Sequence, residues 1–178
     1  MPQDSWYLAK EFSSAGTASG ALYHPNRAAF GPDGNLYVVE RLNHRIHVFD
    51  PDGNTLRSWG SYGSGPGQFN EPVAIAITPS GRVYVCDYNG GRVQVFDTNG
   101  KCLQKFEQSF NGPHGLAVDN DGNVYVAEHN VGRISVISSS GTFLRSWGSA
   151  GSDDGQFQGL IALVKTSDNR IAALERDG

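Results

Sequence analysis

The sequence predicts an all-β protein assembled from repeated four-stranded units, and three observations support this prediction. The 178 residues include 23 glycines, which is typical of a chain with many tight turns. Hydrophobic residues alternate with polar ones over short runs, as they do in half-buried strands. One pattern of residues also recurs along the chain at a period of roughly 40–50 residues. Together these features indicate strands joined by turns, with little helix.

The repeat is clearest at a turn between two hydrophobic runs, which reads PDGN, PSGR and NDGN in successive units. Its glycines are Gly34, Gly81 and Gly122, and Asn169 follows in the same register, at spacings of 47, 41 and 47 residues. The middle unit is shorter because its link reads KFEQSFN, where the others carry WGSYGSGPGQF or WGSAGSDDGQF. We therefore place an outer strand and link of a preceding unit at residues 1–23, three repeats at 24–70, 71–111 and 112–158, and a partial repeat at 159–178.

Each unit contains four short hydrophobic runs, which in the second unit are VAIAIT, VYVCD, VQVFD and CLQKF. The turns TPSG, YNGG and DTNG separate them. Short runs rich in Val, Ile, Tyr and Phe between glycine turns predict an antiparallel meander. Four strands at this period match one blade of a β-propeller. The sequence therefore predicts three full blades, with partial blades at both ends.

The units resemble NHL repeats. The resemblance rests on the pattern P-x-x-[IL]-A-[IV]-x-x-x-G-x-[VL]-Y-V-x-[DE], on the following R-[IV]-x-V-F-D and on the link WGSxGSxxGQF. It implies a propeller that closes with about six blades, and this chain has fewer. We expect the chain to be a fragment of a longer protein whose open edges allow self-association.

Composition and charge narrow the function classes. The net charge is −4 and the sequence has no basic block, which argues against nucleic acid as a partner. There is no apolar run long enough to span a membrane and no signal-peptide pattern at the start. Cys86 and Cys102 are expected to be free thiols, because they fall on strands that are not neighbours. We expect a cytoplasmic protein without a cofactor.

One acidic residue and one arginine recur five residues apart in every complete unit. Each pair spans the connection between the second and third strands, where a carboxylate can accept charge-assisted hydrogen bonds from a guanidinium. Regular recurrence favours a structural role over catalysis. The pairs are Glu40 with Arg45, Asp87 with Arg92, and Glu128 with Arg133.

The segment AVDNDGNVY resembles a calcium-binding loop at first sight. Such a loop requires glycine at its sixth position and glutamate at its twelfth. Counted from Asp119, Gly122 occupies the fourth position and Asn130 the twelfth. The sequence therefore predicts a tight turn rather than a metal site.

Four of the five histidines are expected in loops on one face of the propeller, and only His47 is predicted within a strand. Aromatic, amide and arginine side chains in the same loops suit protein recognition. The alternative is an ordinary polar surface. The candidate binding residues are Arg41, His44, Tyr88, Asn89, His114, His129 and Asn130.

The predicted function is a non-catalytic scaffold for a protein partner, such as the substrate-binding part of a ubiquitin ligase of the tripartite-motif type. One alternative comes from the PHG sequence at residues 113–115. It resembles a motif of the peptidyl-α-hydroxyglycine amidating lyases, and this resemblance implies zinc, with His114 and His129 as candidate ligands. A second alternative is an RNA-binding NHL domain.

Overall fold

The computed structural model describes residues 21–106 and 108–176, which form strands and one short 3-10 helix (His129–Val131). The strands are β1 (Pro25–Phe30), β2 (Leu36–Glu40), β3 (Arg45–Phe49), β4 (Thr55–Trp59), β5 (Pro72–Ile77), β6 (Val83–Asp87), β7 (Arg92–Phe96), β8 (Cys102–Lys105), β9 (Pro113–Val118), β10 (Val124–Glu128), β11 (Arg133–Ile137), β12 (Phe143–Trp147), β13 (Leu160–Lys165) and β14 (Ile171–Glu175).

The strands form antiparallel sheets in which neighbours along the chain are neighbours in the sheet. The first sheet contains β1–β4, the second β5–β8, the third β9–β12, and the fourth contains β13 and β14. The predicted four-stranded meanders are thus confirmed. The partial blade predicted at the start of the chain falls largely on residues 1–20, outside the described residues.

Hydrophobic side chains from facing sheets form the core. One cluster lies between the first and second sheets and includes Tyr37, Val48 and Phe96. A second lies between the second and third sheets and includes Tyr84 and Phe106. A third, with Leu160 and Leu163, joins the third and fourth sheets. Each sheet is therefore stabilised by burial against the next one in the chain.

The turn between β9 and β10 has the conformation that its sequence predicts. Gly122 has a φ of 82°, which glycine adopts without steric cost. The Asp119 carboxylate accepts hydrogen bonds from the amides of Asp121 and Asn123, at 3.0 and 2.8 Å. The side chain of Asn123 and the hydroxyl of Tyr125 also donate to it. The acidic oxygens of Asp119 therefore serve the turn.

The two ends of the described chain expose residues at positions that are buried in the interior sheets. Leu174 and Val164 are 55% and 60% exposed, whereas Ala127 and Ala117, which precede them by one repeat, are 0% and 4% exposed. Phe30, on β1 of the first sheet, is 72% exposed. Such apolar faces favour association. Self-association through the open edges stays a prediction.

Cys86 is buried, Cys102 is half-buried, and both are free thiols. The part of the chain that the structure describes contains no helix with the length and hydrophobicity of a membrane span.

Candidate binding face

One end of the sheets gathers two kinds of segment, and we call it the binding face. The turns after β2, β6 and β10 meet the residues that immediately precede β1, β5 and β9. The amide of Arg41 donates to the carbonyl of His24 at 3.1 Å, and that of Tyr88 to Glu71 at 2.9 Å. The amide of His129 donates to Gly112, also at 2.9 Å. These bonds fix the turns on the ends of rigid strands, which favours precise presentation of their side chains.

The acid–arginine pairs lie directly beneath this face. Glu40, Asp87 and Glu128 are fully buried. Arg92 Nε lies 2.9 Å from Asp87 Oδ2. Arg133 binds Glu128 through both Nε and Nη2, at 3.0 and 2.9 Å, and Arg45 contacts Glu40. The structure thus brings the members of each pair together across the β2–β3, β6–β7 and β10–β11 connections.

Burial and hydrogen bonding act in opposite directions on these acids, since burial raises their pKa values and hydrogen bonds to the carboxylates lower them. Burial raises the pKa of Asp87, and the amide of Asn70 and the guanidinium of Arg92 oppose it only in part. Burial also acts on Glu128, but hydrogen bonds from Arg133, Ser135 and Asn111 outweigh it and lower the pKa. For Glu40, the opposing contributions of its polar neighbours, including His47 and Arg45, lower the pKa to about 2.

An aromatic cluster joins the second and third sheets. The rings of His114 and His129 have centroids 5.5 Å apart. Tyr88, from the second sheet, packs edge-on against His114 at 5.7 Å and lies 6.4 Å from His129. The Tyr88 hydroxyl donates to Asn130 Oδ1 at 2.8 Å, and Asn130 Nδ2 donates to Asn111 Oδ1 at 3.0 Å. Four of the predicted binding residues therefore form one connected group.

The two histidines of this cluster are oriented by the fourth sheet. Nδ1 of His114 lies 2.9 Å from the carbonyl oxygen of Ile161, and Nδ1 of His129 lies 3.1 Å from that of Leu160. His114 occupies the second position of β9, so the expectation that only His47 lies in a strand is wrong. The inner strand begins at Pro113, which pairs with Glu128, so it includes His114 ahead of its hydrophobic residues.

A second polar group occupies the junction of the first and second sheets. Glu71 is 9% exposed, and its carboxylate contacts the Arg41 guanidinium and the side-chain amide of Asn89. The amide of Glu71 donates to Nδ1 of His44 at 3.4 Å. The His44 ring packs edge-on against Tyr62, with centroids 5.1 Å apart. Arg41, His44 and Asn89 are thus brought together by a residue that the sequence analysis does not single out.

Glu71 and His44 have left-handed backbone conformations, with φ of 84° and 52°. The position of Glu71 is held by Gly112 in the next repeat. The position of His44 is held by Gly91 and Gly132 in the next two repeats, and all three glycines have positive φ. Non-glycine residues in this region carry strain, which is often found at functional sites. The signal for Glu71 in the sequence is that a side chain stands at a position that is glycine in the next copy, Gly112.

The histidines of this face do not form one group. His24 packs against Tyr23 with ring centroids 4.7 Å apart, and His44 and the His114–His129 pair have the separate surroundings given above. Among residues 21–106 and 108–176, no group of three or more His, Cys, Asp or Glu side chains is arranged to hold a metal ion.

The inner strands of all four sheets line a cavity of about 830 Å³. Small residues, such as Ala28, Ala76 and Gly115, line it together with Arg27 and Lys165. Arg27 Nη2 reaches across to the carbonyl oxygen of Ile161 at 3.0 Å. This hydrogen bond therefore links the first and fourth sheets across the cavity.

Successive four-stranded sheets whose inner strands surround a shared cavity define the chain as part of a β-propeller. The family model of the NHL repeat matches residues 22–49, 69–96 and 110–137. The chain therefore contains three NHL repeats, and its sheets are arranged as in a β-propeller, as its sequence motifs predict. No curated protein matches the sequence.

Solved structures support the same fold. A streptogramin B lyase is 14% identical, with a TM-score of 0.68, and the match covers 85% of this chain and 48% of the lyase. Hydrazine synthase of Kuenenia stuttgartiensis is 19% identical, with a TM-score of 0.69 and coverage of 96% and 46%. The WD40 repeats of RRP9 are 12% identical, with a TM-score of 0.64 and coverage of 85% and 51%. The chain thus spans about half the length of these proteins.

Proposed function

We propose that the chain is a non-catalytic scaffold that presents the binding face to a protein partner. The observation that carries this proposal is the connected group of Tyr88, His114, His129 and Asn130. Its members come from different sheets, yet they contact one another at ends of strands that are held by buried ion pairs. Aromatic and amide side chains on a rigid surface are common in protein interfaces.

Site-specific photo-crosslinking tests this proposal. A photoreactive phenylalanine at Leu42, which is 41% exposed in the β2–β3 turn of the binding face, should give a discrete crosslinked protein in cells that express the chain. The matched control is Ser80, exposed in the β5–β6 turn at the opposite end of the sheets. Replacing Tyr88 and His129 by Ala should weaken the Leu42 crosslink. Equal crosslinking from Leu42 and Ser80 would contradict the proposal.

A finer form of the proposal concerns the partner. In a ubiquitin ligase of the tripartite-motif type, this face would hold the protein to be modified. The crosslinked partner would then gain ubiquitin when the full-length protein is expressed and lose it when the Tyr88 and His129 substitutions are introduced. Binding of RNA is disfavoured by the net charge of −4. A salt-sensitive mobility shift with single-stranded RNA would support that alternative instead.

The orientation of His114 and His129 supports a second candidate function, a zinc-dependent activity like that of the amidating lyases. Both rings can donate Nδ1–H to backbone carbonyls, as zinc-binding histidines commonly do. The Nε2 atoms are then free to hold a metal. A third ligand would have to come from outside the described residues. Near-stoichiometric zinc in the purified protein, lost in His129→Ala, would support this candidate, and its absence would argue against it.

A further inference from the structure

The two polar groups of the binding face expose opposite hydrogen-bonding character. The difference follows from the tautomers of their histidines. A neutral imidazole carries its proton on one nitrogen, and the partner of the other nitrogen decides which. Carbonyl oxygens only accept and backbone amides only donate, so the backbone partners of His44, His114 and His129 fix where each proton lies.

At the junction of the first and second sheets, His44 exposes a donor. The amide of Glu71 donates to His44 Nδ1, so the proton of the neutral ring is on Nε2. Arg41 lies beside it, and its side chain is 47% exposed while Glu71 holds it from one side. A guanidinium has five N–H donors, and several remain for a ligand. We call this group, formed by Arg41, His44, Glu71 and Asn89, the donor subsite.

At the other end of the face, His114 and His129 expose acceptors. Both rings give their Nδ1 proton to carbonyl oxygens of β13, so Nε2 carries a lone pair when the ring is neutral. The His114 ring is partly buried, and the Arg27 guanidinium lies near it, because both groups donate to the carbonyl oxygen of Ile161. We call this pair, together with Tyr88, the acceptor subsite.

The two subsites adjoin each other through one dipeptide. Tyr88 packs against the imidazoles of the acceptor subsite, and the next residue, Asn89, binds the Glu71 carboxylate of the donor subsite. A single extended segment of a partner can therefore contact both. Within the described residues, the Nε2 atoms of His44, His114 and His129 make no hydrogen bond, so they are available to a ligand.

We propose that this face recognises an extended peptide segment in one direction, with a carboxylate at the donor subsite and a neutral amide at the acceptor subsite. A carboxylate matches the positive edge of Arg41 and the Nε2–H of His44. A side-chain amide donates N–H to the imidazole lone pairs. Arg27, which lies close to His114, disfavours a lysine in place of the amide at the acceptor subsite, because like charges repel. This inference rests on the proposed protein-binding function and specifies the chemistry of the partner.

Immobilised nonapeptides provide the test. Each carries one Asp and one Asn, in both orders and at every spacing, on a background of Gly and Ser. One order should bind better than the reverse order. In the best binder, Asp→Asn should weaken binding at least about tenfold, and Asn→Leu or Asn→Lys should also weaken it.

Protein variants assign each preference to its subsite. Arg41→Gln should abolish the preference for Asp over Asn at the acidic position while the amide preference remains. His114→Phe with His129→Phe should do the reverse. Arg82→Gln, an exposed arginine in the β5–β6 turn, should change neither. Circular dichroism would verify that each variant keeps its strand content.

Three results would overturn the inference. The first is binding that ignores the order of Asp and Asn. The second is an Asp preference that survives Arg41→Gln, and the third is the absence of binding by every peptide. In each case, a crosslink from Leu42 that depends on Tyr88 and His129 would still support the proposed function, so the two proposals can fail separately.

Discussion

The second and third sheets close the same turn with the same kind of ion pair, yet they bury it differently. The Arg92 side chain is 9% exposed, whereas that of Arg133 is 41% exposed. Arg92 also donates to the carbonyl oxygens of Gly63 and Gln68, at 3.1 and 2.8 Å, and to that of Ser64. These acceptors belong to the long link that precedes β5. The link that precedes β9 is shorter, so Arg133 remains beside solvent.

The residue two positions after each arginine shows the same division. In the second sheet, Gln94 accepts from the amide of Gly67 at 3.0 Å and donates to the carbonyl of Gln68 at 2.7 Å. In the third sheet, the Ser135 hydroxyl donates to Glu128 Oε1 at 2.5 Å. The buried polar position therefore holds the link where a long link is present and supports the acid where it is not.

Replacing the arginine should reveal the largest difference in stability between the two sheets. Arg92→Ala leaves Asp87 buried without its ion pair and frees three link carbonyls, so we expect a loss of about 3–5 kcal/mol of unfolding free energy. Arg133→Ala should cost about 1–2 kcal/mol, because its side chain is near solvent and Glu128 keeps bonds from Ser135 and Asn111. Urea denaturation measures both values.

Two controls accompany this comparison. Arg92→Lys keeps the charge but loses the planar fork, so its loss should fall between wild type and Arg92→Ala. Arg82→Ala, in an exposed turn, should change stability by less than about 0.5 kcal/mol. Equal losses at Arg92 and Arg133 would show that the link contacts contribute little.

Lowering the pH should affect the Glu40–Arg45 pair of the first sheet differently from the Asp87–Arg92 pair of the second sheet. The pKa of Glu40 is about 2 in the folded protein, against an ordinary value of 4.5. Its contribution to stability is complete above pH 4.5 and is lost as pH falls towards 2, at most about 3 kcal/mol. The stability difference between wild type and Glu40→Gln should therefore shrink over this range in urea titrations.

Asp87→Asn provides the contrasting case. Its folded pKa is raised by burial, so protonation stabilises the folded state, and this contribution is lost as pH rises through the folded pKa. The difference between wild type and Asp87→Asn should change with pH in the opposite sense to that of Glu40→Gln. The same sense for both variants would contradict the role assigned to burial at Asp87.

The repeat register explains why the fold follows from the sequence and the binding face follows only in part. Turn glycines such as Gly81, alternating runs and paired acids and arginines act locally, so each copy reveals the same meander. The contact between Tyr88 and His114 joins the second and third sheets, and the hydrogen bond from His129 to Leu160 joins the third and fourth. Such contacts depend on packing of sheets, which no single repeat encodes. Glu71 escapes notice because its role depends on Arg41, which lies 30 residues earlier.

The smallest predicted effect concerns the strained backbone of Glu71, compared with Gly112 at the same position of the next repeat. Glu71→Gly and Glu71→Ala both remove the carboxylate, but only glycine relieves the positive φ of 84°. Glu71→Gly should therefore be more stable than Glu71→Ala by about 1 kcal/mol, measured by thermal or urea unfolding.

Gly112→Ala is the reciprocal change and should be destabilising. Its new Cβ would lie 2.6 Å from Asn130 Nδ2 at a φ of 66°. Equal stability of Glu71→Gly and Glu71→Ala would remove the argument that Glu71 is kept against strain. If Glu71→Gly is more stable than wild type and still loses the Arg41-dependent preference for Asp in the peptide assay, the side chain at residue 71 serves binding rather than folding.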